Sequence, residues 1–370
     1  MWYKRLQLQY DPADVRTSRH ISPHHQHPST MASEAKTALP IVFGNMTIGK
    51  AGVEGIRVTD INVANKMLDT FQSHGHNEID TARLYGGGSS EESLAASKWQ
   101  DRKLIMDTKL YPNEGKGMAM GTNTYNHRPD DVRRGLLDSL KALNTNKIDM
   151  FYLHGPDRKT PFEDTLREVN KLYKEGYFTR FGISNYMSWE VATICEICSR
   201  NGWIKPTVYQ GIYNALHRAI EPELMPCLRK YDIALYAFQP LAGGFLTSRY
   251  KRDMSDDDYE AGSRFDPKRW QGKLHHGRYI NSFYFDALDV IRPVIAKHGL
   301  TEAECALRWL EHHSMMSKEK GDKIIIGASS AKQLEENLVD LEKGPLPEDV
   351  VEAMDAGWLR VKGVVPKYFH

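Results

Sequence analysis

The chain is short of cysteine, has almost no net charge and contains no long apolar run, and each shortage excludes a class of protein. Four cysteines (Cys195, Cys198, Cys227 and Cys305) in 370 residues do not make a disulfide framework, which a core of this size does not need. A reducing, cytoplasmic setting follows. Cys195 and Cys198 form a lone CxxC within the periodic stretch WEVATICEICSR. With no second pair and no nearby histidine to complete a tetrahedral set, they are expected to pack a helix, and no metal is expected. The 49 Lys+Arg residues against 48 Asp+Glu give a charge of +1, without the basic stripe a nucleic-acid partner requires. No apolar run approaches the roughly 18 to 20 residues of a membrane span. No GxGxxG or Walker loop stands at a strand-to-helix turn, so a Rossmann domain is not expected.

The first 38 residues are polar, rich in histidine and without periodicity, and read as a disordered leader ahead of one domain spanning residues 39–370. His24, His25 and His27 are read as part of a solvated tail rather than a metal grip. The leader has no apolar signal core. Asp11, Asp14 and Glu34 weaken a mitochondrial transit reading without removing it, and Met31 offers a second start.

From Ile41 onward, short apolar runs alternate with longer helical patterns, the signature of repeated βα units. The runs are IVFGN, HNEIDTA, LIMDTKL, IDMFYLHG, RFGISN, TVYQGIYN, ALYAFQPL and KIIIGAS. Eight such strands predict a closed (β/α)8 barrel, a TIM barrel. Between the seventh and eighth, SRYKRDMSDDDYEAGSRFDPKRWQGKLHHGRY reads as a polar loop over the barrel mouth, followed by two helices.

Barrel active sites are built at the C-terminal ends of the strands, and Asp80, Lys109, His154, Asn185 and Gln210 all fall there. With Tyr85 just beyond the second strand, an acid, a phenol, an amine and an imidazole form a proton-donating site. A tyrosine acid works better where a cation stabilises its phenolate, a role that suits Lys109, while Asp80 would hold Lys109 charged. A neutral His154 could position a substrate oxygen. Singly, each has a bland reading as a buried ion pair, a rim aromatic or a core histidine. Jointly they point to reduction of a carbonyl, with hydride from a bound cofactor.

The strings EIDTARLYGGG, MDTKL, FYLHGPD, GISN, YQGIYN, PLAGG and IIGASSAKQLEEN resemble the aldo-keto reductases in order and separation. SWEVATIC, NGWIKPTVYQGIYNA, YAFQPLAGGFLTSRY and ALRWLEHHS are similar to the aflatoxin-aldehyde reductase subfamily. The resemblance implies Tyr85 as proton donor, Asp80 and Lys109 as its polarising partners and His154 as the substrate-orienting residue. It implies that Ser184, Asn185 and Gln210, with Asp80 beside them, meet the nicotinamide carboxamide, and that Phe238 stacks on its ring.

For the rest of the cofactor it implies a pyrophosphate loop holding Gln239, Pro240, Leu241, Gly243 and Arg249. The adenosine end falls to Arg264, Gly327, Ser329, Gln333, Glu336 and Asn337. NADPH is the cofactor implied, with Arg264 and Lys332 as candidates for its 2′-phosphate. Near relatives end in an arginine where this chain has His370, read as a weaker, pH-dependent cation toward substrate. The partner is a small carbonyl compound, and a homodimer is implied. Two other readings stay open: a cofactor-binding regulatory subunit like the potassium-channel β subunits, and a tailoring ketoreductase of a specialised pathway.

Overall fold

The computed structural model describes residues 35–116 and 123–370; residues 1–34 of the expected leader, with its histidines and Met31, lie outside the described residues. Eight parallel strands close into a barrel in chain order. They are β1 (Ile41–Gly44), β2 (Glu78–Asp80), β3 (Ile105–Leu110), β4 (Ile148–Leu153), β5 (Phe178–Ser184), β6 (Val208–Ile212), β7 (Ala234–Phe238) and β8 (Lys323–Ile326). Seven of the eight expected runs contain a strand, and RFGISN overlaps β5, which begins two residues earlier at Phe178.

The strands read as nearly continuous apolar runs because both faces are buried. Period-two alternation sorts them into two cores. Phe43, Ile79, Met106, Phe151, Ile183, Leu235 and Ile324 face outward, into the main core shared with the helices. Val42, Met150, Tyr152, Val208, Ala234, Tyr236 and Ile325 fill the barrel interior.

Helices α1 (Ile61–Ser73), α2 (Ser89–Ala96), α3 (Pro129–Ala142), α4 (Phe162–Lys174), α5 (Ser188–Asn201) and α6 (Leu224–Lys230) connect successive strands. Their starts follow from sequence: Asp60 caps α1 through Asn62 N at 2.8 Å, and Pro129 opens α3 where its missing N–H costs nothing. Cys195 and Cys198 are buried on α5, and all four thiols are free.

Between β7 and β8 the expected polar loop is not wholly a loop. It contains α7 (Trp270–Tyr279), ahead of α8 (Ser282–Lys297) and α9 (Glu302–His312). The helix forms because Gln271, His275 and Tyr279, one turn apart, are all buried, while the charges that made the stretch look irregular stay outside. After β8 come α10 (Ala331–Leu341) and α11 (Glu348–Val361). Helix α11 lies close on α8 at Gly357, where a Cβ would meet Ile291 Cδ1 at 2.7 Å. Among the described residues no helix is long and apolar enough to cross a membrane.

Candidate active site

Strands β2, β3 and β6 bring three of the expected residues together. Lys109 is fully buried and Asp80 is 3% exposed. The Lys109 ammonium donates to Asp80 Oδ2 at 2.5 Å, to the Thr81 carbonyl at 2.8 Å and to the Tyr85 hydroxyl. An ammonium has three N–H groups, so all are committed. The other carboxylate oxygen of Asp80 accepts from Gln210 Nε2 at 2.8 Å.

Tyr85 is held in place by the three glycines after it. Gly86, Gly87 and Gly88 all have positive φ, and a Cβ at Gly88 would lie 1.5 Å from the Arg83 guanidinium, so the tight turn needs glycine. Arg83 pairs with the buried Glu91 at 2.7 Å, and Glu91 accepts from Thr108, next to Lys109, at 2.6 Å.

The electrostatics differ in one respect from expectation. Burial raises the Tyr85 pKa above the ordinary phenol value, and the downward pull of Lys109 only partly offsets it; the net shift is upward, and Tyr85 is a fully protonated donor at neutral pH. Burial also works to strip the proton from Lys109, but Asp80 and Tyr85 together hold its pKa above normal. His154 is pushed well below its ordinary value by burial, then by Lys109, His370 and His127, so it is neutral as expected. Its ring meets Tyr85 and Tyr111 edge-on, with centroids 5.6 and 5.5 Å away, and Nδ1 is buried without a partner among the described residues.

A cleft of about 1220 Å³ opens from this cluster along the mouth. Asp80, Tyr85, His154, Asn185, Gln210, Phe238, Gln239, Pro240, Leu241 and Gly243 line it, as do Arg249, Arg264, Gly327, Ser329, Gln333, Glu336, Asn337 and His370. Lys109 and Ser184 stand behind that surface, both fully buried. Asn185, at φ 64° just past β5, donates from Nδ2 to the His154 carbonyl at 3.0 Å and to Ser184 Oγ at 2.9 Å. Gln239, at φ 57°, is held through its side chain by Tyr279 of α7 at 2.9 Å and through its carbonyl by Asn214 at 3.0 Å.

At the far end, Ser329 donates from N and Oγ to Gln333 Oε1 at 3.0 and 2.8 Å, at the start of α10. The two proposed phosphate cations lie in unlike settings. Lys332 is exposed and 3.7 Å from Glu336. Arg264 reaches Met46 Sδ at 3.9 Å, has no carboxylate partner among the described residues, and has its pKa lowered by burial, against the pull of Tyr85 and Tyr279. Arg249 faces Glu260 at 3.7 Å on the rim.

His370 requires a correction. Its N–H donates to the Asn185 carbonyl at 3.2 Å and its carbonyl accepts from Arg158 at 2.6 Å, so the chain end is tied into the wall of the cleft. Burial of its imidazole, then Arg278, Lys116 and Arg158, pushes its pKa down to about 4, although the residue as a whole reaches solvent. At neutral pH it is a neutral imidazole and not a cation.

Sequence reasoning missed the other wall: Tyr111, Lys116, Trp270, Leu274 and Arg278. Tyr111 directly follows β3, a position that could have found it. The three from α7 carried no signal while that segment read as a loop.

Comparison with known proteins agrees with this geometry. The family model described as the aldo/keto reductase family matches residues 40–358. The chain is 55% identical over 336 residues, 90% of its length and 98% of the relative's, to the aldo-keto reductase pigE of Monascus ruber. It is 54% identical over 303 residues, 82% of its length and all of the relative's, to an aldo-keto reductase of Pseudocercospora fijiensis. Over 350 residues, 92% of its length and 90% of the relative's, it is 40% identical to aflatoxin B1 aldehyde reductase member 2 of Mus musculus. With the barrel, the cleft and these likenesses in agreement, the chain belongs to the aldo/keto reductase family, oxidoreductases that act on carbonyl compounds.

Proposed function

We propose that the protein reduces an aldehyde or ketone to the alcohol with NADPH, Tyr85 acting as the general acid. The observation that carries this reading is the continuous chain Tyr85–Lys109–Asp80–Gln210 at the floor of the cleft. A cation held by a buried carboxylate against a phenol favours transfer of the phenolic proton to an oxygen that is gaining negative charge.

The cleft suits a dinucleotide phosphate. It offers Arg264, a guanidinium without a counter-ion among the described residues, and a half-buried aromatic face at Phe238 beside the Asp80–Gln210 pair. In this reading Ser184, Asn185 and Gln210 hold the carboxamide, Gln239 to Arg249 cover the pyrophosphate, and Gly327 to Asn337 take the adenosine end. Bound there, NADPH supplies the hydride. The neutral His154 orients the carbonyl toward Tyr85, whose hydroxyl proton completes the alcohol, and Lys109 stabilises the phenolate until it is reprotonated from solvent. Four free thiols accord with a cytoplasmic enzyme.

Tyr85→Phe is the test. Turnover of an aromatic aldehyde such as nitrobenzaldehyde is expected to fall by about 10²–10⁴, with NADPH affinity, read by quenching of protein fluorescence, unchanged. Reduction at the parental rate would overturn the assignment.

A further inference from the structure

Below the Asp80–Lys109 pair lies a second carboxyl that the proton transfer from Tyr85 does not use. Asp107 is the register partner of Asp80 on the neighbouring strand and stands two residues before Lys109 on β3, so all three face the barrel interior. It is fully buried, and neither carboxyl oxygen has a hydrogen-bond partner among the described residues.

Its surroundings are mostly acidic. From β2 it faces Glu78 and Asp80, from β4 Asp149 and Tyr152, from β5 Arg180 and from β7 Tyr236. The nearest basic group below it, Arg180, comes no closer than 4.0 Å and is already shared by Glu78 and Asp149. Lys323 is committed to Glu78. A carboxylate in this position would be an anion without a donor among the described residues, beside three other carboxylates, the costliest arrangement for a buried charge. Burial, then Glu78, raises its pKa well above the ordinary value.

We propose that Asp107 is a positioning residue carried as the neutral acid, and that its proton keeps the third N–H of Lys109 on Tyr85. The inference rests on Tyr85 being the acid. Ionised, Asp107 would add a negative charge beside Asp80 that competes with Tyr85 for the Lys109 ammonium and makes the phenol a weaker acid. In this proposal it is loss of the Asp107 proton, rather than that of Tyr85, that sets the alkaline limit of catalysis.

Two measurements test this on the whole protein. At pH 7 the infrared spectrum is expected to contain a protonated-carboxyl band that disappears in Asp107→Asn, the difference separating it from other buried acids such as Glu91. Absence of that band overturns the proposal whatever the fate of the Tyr85 assignment. In the pH profile of kcat/KM, Asp107→Asn, permanently neutral, is expected to match the parent within about twofold at pH 7 and to move the alkaline limb upward by about half a unit or more. A superimposable profile, or a tenfold loss at pH 7 in a folded variant, overturns the positioning role. Asp107→Ser, smaller and equally neutral, replaces the asparagine variant if that does not fold, with the same expectations.

Discussion

A methyl group on Gly182 of β5 would lie 2.3 Å from Cε1 of Tyr152 on β4, inside the barrel. Tyr152 is fully buried, and its ring centroid is 5.9 Å from the Lys109 ammonium. The smallest residue on one strand therefore makes room for a large one on the next. Gly182→Ala is expected to destabilise the fold by about 1–3 kcal/mol through overpacking, measured by denaturant unfolding, and to lower kcat more than it raises KM because Tyr152 must move toward Lys109.

Asp80 and Lys109 form a buried ion pair, and removing either partner strands the other. Asp80→Asn and Lys109→Met are each expected to cost about 3–5 kcal/mol of stability, and the double variant less than the sum of the two. Thermal or chemical denaturation of the three proteins gives the coupling. Additive losses would show that the two side chains do not act as a pair. All three variants should lose turnover by at least about 10².

Stability should also depend on Glu311 of α9. Burial raises its pKa to about 7, although its carboxylate accepts from Leu39 N at 2.8 Å. The folded state thus binds a proton that the unfolded state has released between about pH 4.5 and 7, so stability falls as pH rises through that window. Glu311→Gln removes the slope. The variant is expected to be more stable than the parent at pH 8, by order of 1–3 kcal/mol, with the gap closing toward pH 4.5. Melting curves across that range check the sign.

The end of the chain is fastened at three points: the Tyr368 hydroxyl accepts from Ser188 N at 3.1 Å, His370 N donates to Asn185 O, and Arg158 donates to the His370 carbonyl. Deleting residues 368–370 opens the substrate wall. KM for a carbonyl substrate is expected to rise about tenfold while cofactor affinity changes by less than about threefold, read by steady-state kinetics and fluorescence titration. Equal losses in both would place the tail on the cofactor side.

The barrel could be read before the structure because its strands are buried on both faces and leave unbroken apolar runs, and because polar residues such as Lys109 and Gln210 interrupt those runs near one end. Helix α7 was hidden because its buried side, Gln271 and His275, is as polar as its exposed one. The ionisation of His370 could not be read either, since it depends first on burial of the ring and then on Arg278 and Lys116 from distant segments. Asp107 sits in plain view in MDTKL, yet only strand register sets it beside Asp80 and leaves it without a donor.

Helix α7 turns Trp270 and Leu274 toward the cleft while leaving them 51% and 43% exposed. Side chains that contribute so little to the core can be exchanged at little cost to folding, whereas Lys109 or Asp80 cannot. The shape of the cleft wall can therefore change by drift along one helix, with the buried Asp80–Lys109 pair left intact.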